Sequence, residues 1–144
     1  MINSKLIYKI LGQLLFIEAF LLFISLLVAY YYQQDDIFAF VVATLTTIGG
    51  GLILKWKGHG ADNSMSRRDA YLVVSLSWII FSLFGTLPFM VSGYINNFTD
   101  AYFETMSGFT TTGATIIDDV DVLPHGILFW RSFTQWLGGL GIVF

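Results

Sequence analysis

The segment "SGFTTTGATII", residues 107–117, contains four threonines, two glycines and no charged residue. It lies between a short stretch with helical potential at 97–108 and a longer apolar stretch that begins at Pro124. Short polar side chains in such density are unusual within an apolar sequence. The role of the segment therefore depends on the environment that the rest of the chain creates around it.

The overall composition is that of a membrane protein. Of the 144 residues, 56% are hydrophobic and only 12% are charged, whereas soluble domains carry about 25% charged residues. The absence of cysteine excludes disulfides and thiolate metal sites, and the scattered basic residues do not form a nucleic-acid-binding surface. No nucleophile with a base and no phosphate-binding glycine loop is present, so we expect neither an enzyme nor a cofactor.

Three apolar stretches predict transmembrane helices at 6–32, 37–54 and 70–91. Each has roughly the 20 residues that a helix needs to cross a hydrocarbon core of about 30 Å. A cleavable signal peptide is the alternative for the first stretch, but such peptides have apolar runs of only about 7–15 residues. The glycine triplet at 49–51 suits close helix packing. Ser66 is expected to cap the third helix, with Asp69 in its first turn.

The charged residues separate to the two ends of these helices, which predicts an orientation in the membrane. Acidic residues at 35–36 and 118–121 fall at one end, and six basic residues fall at the other: Lys5, Lys9, Lys55, Lys57, Arg67 and Arg68. By the positive-inside rule, the N-terminus is expected to be cytoplasmic. We divide the chain into two N-terminal transmembrane helices (1–58), a cytoplasmic loop (59–69) and a helix–loop–helix unit (70–144).

The stretch at 97–108 is too short to cross a bilayer and is therefore expected to turn back. Thr99 is a candidate N-cap for this helix, and Gly108 is a candidate stop. Main chain that leaves a half-length helix must line a cavity, because lipid cannot satisfy its polar groups. An ordinary turn between two helices is the alternative interpretation. In the first interpretation, successive carbonyl oxygens would replace the hydration shell of a cation, at Thr110, Thr111, Thr112, Gly113, Ala114 and Thr115.

Charged residues near this segment suggest supporting roles. Arg131 lies inside the last apolar stretch, where a charged side chain is costly and is usually paired; Glu104 on the short helix is the expected partner. In one interpretation the ion pair braces the threonine-rich segment on the side away from the ion. In the alternative, the Arg131 side chain extends to the outer membrane–water interface. An acidic outer mouth that concentrates cations is predicted, with an ordinary solvated loop as the alternative, at Asp118, Asp119 and Asp121.

Three motifs together resemble the first pore repeat of TrkH-type potassium transporters, in the Trk/Ktr/HKT superfamily. They are "GTLPFM" at 85–90, "AYFETMSGFTTTGATII" at 101–117 and "LPHGILFWRSFTQWLGGLGIVF" at 123–144. The resemblance implies an all-α membrane fold with one re-entrant pore helix and an extended selectivity-filter loop. It also implies that four such repeats each contribute one filter strand to a central pore. Gly113 would be the filter glycine, with K⁺ held at Thr111, Thr112 and Gly113.

The function implied by this resemblance is potassium uptake across the bacterial inner membrane. The resemblance further implies a homodimer and a cytoplasmic nucleotide-binding regulatory subunit as partners. In plant relatives a serine in place of the glycine accompanies sodium transport, so Gly113 implies potassium. A single repeat cannot enclose an ion, and we expect the chain to be a fragment, truncated in its last helix; assembly of four short chains around one pore is the other possibility. A non-conducting membrane assembly module, whose polar loop packs against partner helices, is the alternative.

Overall fold

The computed structural model describes residues 2–62 and 64–143, with side chains described up to residue 140. The fold is all-α as predicted, with no strand among the described residues. Within the described residues, a short 3₁₀ helix at Val120–Val122 accompanies six α-helices. These are α1 (Ser4–Tyr32), α2 (Ile37–Lys57), α3 (Arg67–Gly85), α4 (Leu87–Val91), α5 (Phe98–Phe109) and α6 (His125–Val143).

Three helical segments of the described chain are long and apolar enough to cross a membrane. They are Ser4–Tyr32, Ile37–Lys57 and Arg67–Val91, which confirms the three predicted spans by length and composition. The last helix, α6, is not among them. It carries Arg131 and Gln135 within its apolar sequence, and these side chains lower its mean hydropathy.

The first two helices form an antiparallel hairpin whose close approach depends on glycine. A Cβ atom at Gly12 would lie 2.8 Å from the Lys55 amide nitrogen and 2.9 Å from the Gly51 carbonyl oxygen. Both distances are shorter than van der Waals contact, so only glycine allows the two backbones to meet here. Of the glycine triplet, Gly51 lies in this interface, Gly50 lies against the Phe84 ring of α3, and Gly49 has open space on its Cβ side.

The third span is interrupted, although the sequence predicts one continuous helix over 70–91. α3 ends at Gly85, and after Thr86 the chain continues as the short helix α4. Pro88 explains the break, because it has no N–H to donate to the carbonyl group four residues earlier. The start of α3 agrees with the prediction: Ser66 and Asp69 form a reciprocal capping box.

Aromatic side chains form the core where α3, α5 and α6 meet. Phe109 and Trp130 are buried and pack edge to face, with ring centroids 6.3 Å apart. Phe81 contacts Phe109 from α3, with a centroid distance of 5.7 Å. The indole N–H of Trp130 donates to the Gly85 carbonyl oxygen at 2.9 Å. The interruption of α3 is thereby tied directly to α6.

We predict that Gly12→Ala destabilises the protein, because the added methyl group forces α1 and α2 apart. Overpacking of this kind costs about 1–3 kcal/mol. The measurement is thermal unfolding, in detergent, of the complete protein that carries these residues. Gly49→Ala is the matched control: it lies in α2 with nothing within 4 Å of its Cβ position. Equal melting temperatures for the two variants would contradict the packing described for Gly12.

Candidate functional site

The threonine-rich segment leaves α5 at a tight turn and then runs back along the helix. The Thr111 amide donates to the Gly108 carbonyl at 2.9 Å, and the Thr112 amide donates to the Ser107 carbonyl at 3.0 Å. Thr111 adopts a left-handed backbone with φ of 56°, which is uncommon for a residue with a side chain. Residues 112–117 then have neither helical nor strand structure. We call residues 110–116 the filter loop, after the selectivity filter that the sequence resemblance implies.

The start of α5 differs from the prediction in its capping residue. Asn97, not Thr99, is the N-cap: its side-chain oxygen accepts a hydrogen bond from the Thr99 amide at 3.1 Å. The prediction of Gly108 as the stop is wrong by one residue, because α5 continues to Phe109. Gly108 instead lies in the helix where the Thr134 side chain packs against it, and a Cβ atom there would overlap the Thr134 hydroxyl.

The filter loop lies at the surface of the described protein. All seven of its residues are exposed. Gly113 has a φ of 75°, and nothing lies within 4 Å of its Cβ position. The carbonyl oxygens of Thr111, Thr112 and Gly113 accept no hydrogen bond from the described residues. Three successive carbonyl groups are therefore available to an outside partner.

Ser107 holds the far side of the loop against α5. Its hydroxyl donates to the Ala114 carbonyl oxygen at 2.6 Å, and the side chain is buried. The Ala114 carbonyl is thus turned toward α5, unlike the three carbonyls before it. The sequence does not identify Ser107, because a serine seven residues before its acceptor has no recognisable pattern.

Glu104 connects the loop to α6. Its carboxylate accepts hydrogen bonds from the Thr115 hydroxyl at 3.0 Å and from the Ile116 amide at 3.1 Å. Arg131 Nε donates to Glu104 Oε1 at 2.6 Å, and the two side chains form an ion pair. The sequence predicts this pairing. The Glu104 side chain is 2% exposed and the Arg131 side chain is 20% exposed. One buried carboxylate therefore receives donors from both the loop and the last helix.

Close packing of α5 on α6 positions this ion pair. A Cβ atom at Gly138 would overlap the Phe109 carbonyl group, and one at Gly108 would overlap the Thr134 side chain. Glycine at both positions allows the two helices to approach closely. The glycine-rich end of α6 therefore lies directly beside the turn into the filter loop.

Two of the acidic residues after the loop line a cavity that extends to Ile116, the residue whose amide is bound by Glu104. Asp118 and Asp119 line a cavity of about 570 Å³ together with Asp100 and Asn97. Asp119 also accepts a hydrogen bond from the Asp121 amide at 3.0 Å, and Asp121 does not line the cavity. No group of three or more metal-ligating side chains occurs in the described ranges.

Glu18 on α1 is a second buried acid, 1% exposed, and the sequence assigns it no role. Neither of its carboxylate oxygens has a hydrogen-bond partner among the described residues. It lines an apolar cavity of about 270 Å³ between α1 and α3. This acid is separate from the Glu104 cluster.

The sequence and the fold have counterparts among known proteins. Residues 33–144 match the family model "TrkH: Cation transport protein". The chain is 40% identical over 142 residues to the Trk system potassium uptake protein TrkH of Halomonas elongata, and 37% identical to that of Escherichia coli K12. These alignments cover 98% of this chain and 30% and 29% of the two relatives.

A solved structure shows the same architecture. The crystal structure of the potassium transporter TrkH from Vibrio parahaemolyticus superposes with a TM-score of 0.90 at 35% identity. The match covers 96% of this chain and 30% of that protein. The chain thus spans about a third of the length of the relatives it matches. On the extent of the family match and the agreement in structure, the chain belongs to the TrkH family of cation transport proteins.

Proposed function

We propose that this chain contributes one of four filter strands to a potassium-uptake transporter of the bacterial inner membrane, with its N-terminus on the cytoplasmic side. The observation that carries the proposal is the run of three exposed residues, Thr111 to Gly113, whose carbonyl oxygens accept no hydrogen bond from the described residues. The two curated relatives described above are potassium uptake proteins by name. The remaining filter strands would come from further repeats, since a single strand cannot surround an ion.

The length of α5 supports a position of the loop inside the membrane. At 12 residues, the helix is about 18 Å long at 1.5 Å per residue, whereas the hydrocarbon core is about 30 Å thick. The main chain that follows such a helix needs water or protein around it, because lipid offers no hydrogen bonds. A central pore formed by several repeats satisfies this requirement for the filter loop.

The electrostatics of the loop favour a cation. The C-terminal end of α5 carries the negative end of the helix dipole and points into the turn at Thr110. Carbonyl oxygens in a ring can replace the hydration shell of K⁺. In this proposal Thr110–Thr115 form the filter strand, with the ion held by the carbonyl groups of Thr111, Thr112 and Gly113.

The surrounding residues have supporting roles in the same proposal. Glu104 and Arg131 brace the filter from behind, and an acidic mouth at Asp118, Asp119 and Asp121 concentrates cations outside it. A homodimer and a cytoplasmic nucleotide-binding regulatory subunit complete the assembly, by resemblance to TrkH-type transporters.

Gly113→Ser tests the filter assignment. A serine at a φ of 75° strains the backbone by about 1–3 kcal/mol, which shifts the carbonyl groups on either side. We expect the preference for K⁺ over Na⁺ to fall by on the order of tenfold, equivalent to about 1.4 kcal/mol. The measurement is ion uptake by a transport-deficient bacterium that expresses the complete protein. Gly60→Ser is the matched control, because Gly60 has a φ of 71° in open space; a lower preference in Gly60→Ser as well would contradict the assignment.

Arg131→Met tests the brace. It leaves the Glu104 carboxylate buried without its counter-charge, and breaking a buried pair in this way costs about 3 kcal/mol. We expect a lower melting temperature and reduced discrimination between K⁺ and Na⁺. Adding Glu104→Gln to Arg131→Met removes the stranded charge and recovers part of the stability. Arg68→Met at the exposed start of α3 is the control, and unchanged transport and stability in Arg131→Met would rule the brace out.

Ser107→Ala tests whether the Ala114 carbonyl must be held away from the ion path. The substitution removes one hydrogen bond, worth about 1 kcal/mol, and frees that carbonyl to rotate. We expect the KM for K⁺ to change about fivefold. Ser75→Ala, on the exposed face of α3, is the control. Identical KM values for Ser107→Ala and Ser75→Ala would show that this hydrogen bond does not shape the filter.

A further inference from the structure

The turn between α1 and α2 lies against the first turn of α6, which is distant in sequence. Gln34 Oε1 accepts a hydrogen bond from the His125 amide at 2.7 Å. Asp36 Oδ2 accepts one from the Ile127 amide at 3.1 Å. The Tyr32 ring stacks on the His125 imidazole, with centroids 4.0 Å apart and planes 8° from parallel. We call Gln34 and Asp36 the outer clamp.

The outer clamp caps a helix end. The first amide groups of a helix have no partners within that helix and carry a partial positive charge. Gln34 and Asp36 satisfy two of these amides in α6, and a carboxyl group is the preferred partner there. The N-caps that the sequence predicts lie directly before the helices they cap. Asp36 lies 91 residues before the amide it binds, so local sequence patterns do not reveal this cap.

The site of the clamp is closely packed. Asp36 is 0% exposed. A Cβ atom at Gly126 would overlap the Asp36 carboxyl group, so glycine at 126 is what admits it. Burial raises the pKa of Asp36 from its ordinary value, and the surrounding N–H groups act in the opposite direction. The carboxyl group therefore has little freedom to move independently of α6.

α6 is a continuous helix from the clamp to the Glu104 cluster. Arg131 follows Ile127 by four residues, which is about one helical turn. A rigid rotation or shift of α6 at its start is therefore passed to Arg131 almost undiminished. Trp130, next to Arg131, donates a hydrogen bond to Gly85 at the end of α3. The clamp therefore adds a second fixed contact, nearer the N-terminal end of α6.

We propose that the outer clamp is a positioning element of the filter: the α1–α2 hairpin sets the height and rotation of α6 so that Arg131 meets Glu104. The inference rests on the proposed function, because it concerns how the filter is held. It gives the two N-terminal helices a part in ion selection. Glu104 in turn holds Thr115 and Ile116, so a displaced Arg131 alters the far end of the filter loop.

The test compares three variants of the complete protein at positions 35 and 36. Asp36→Ala removes the cap, Asp36→Asn retains an oxygen that can accept from the Ile127 amide, and Asp35→Ala alters the exposed neighbouring acid. We expect Asp36→Ala to lower the K⁺ over Na⁺ preference about fivefold and to raise the KM for K⁺ more than it lowers kcat. Asp36→Asn should restore most of the preference, and Asp35→Ala should leave it unchanged.

A purely structural clamp would lower the amount of folded protein while the preference of the remaining transporters stays the same, and this result would overturn the proposal. Gln34→Ala, at a half-exposed position, provides a milder variant if Asp36→Ala yields too little folded protein; an unchanged preference in it would also overturn the proposal. Gly113→Ser is measured in the same assay. If the K⁺ over Na⁺ preference falls in Gly113→Ser but not in Asp36→Ala, only the role of the clamp is overturned. If the preference is unchanged in both variants, the proposed function is overturned as well.

Discussion

Main-chain carbonyl groups without partners are stable at membrane depth only where water or protein surrounds them. The filter loop presents three such groups in succession, directly after a helix of 12 residues. The rest of this region holds that loop in place. α5 supplies the hydrogen bonds that turn the chain back, and α3 and α6 support α5 through the aromatic contacts of Phe109.

Glu104 is the residue through which these elements are joined. It receives donors from the loop at Thr115 and Ile116 and from α6 at Arg131. The buried Glu104 carboxylate would be costly without its counter-charge on Arg131. The three contacts therefore depend on one another. In our proposal, uncharged carbonyl groups select the ion, and this selection relies on a charged pair that does not itself line the path. In our proposal the outer clamp extends this dependence to the two N-terminal helices.

Sequence patterns predict the elements that depend on local or periodic features. The three spans follow from long apolar runs, and the Ser66 cap follows from its spacing to Asp69. Other features are not visible in this way: residues 70–91 look like one helix although the chain breaks before Pro88, and the left-handed Thr111 occupies a position where glycine is usual. Of three adjacent glycines, only the fold distinguishes Gly49, in open space, from Gly50 and Gly51.

The sequence does not identify three residues whose hydrogen-bond partners are distant or have no recognisable spacing: Ser107, Gln34 and Asp36.

The central claim is that the backbone of the filter loop contacts the transported ion. It is tested most directly by anomalous scattering from Tl⁺, a K⁺ substitute, in crystals of the complete transporter. We predict an anomalous peak on the pore axis in contact with the carbonyl oxygens of Thr111, Thr112 and Gly113. A structure in which residues 110–116 are covered by neighbouring helices, with Tl⁺ bound elsewhere, would contradict the account.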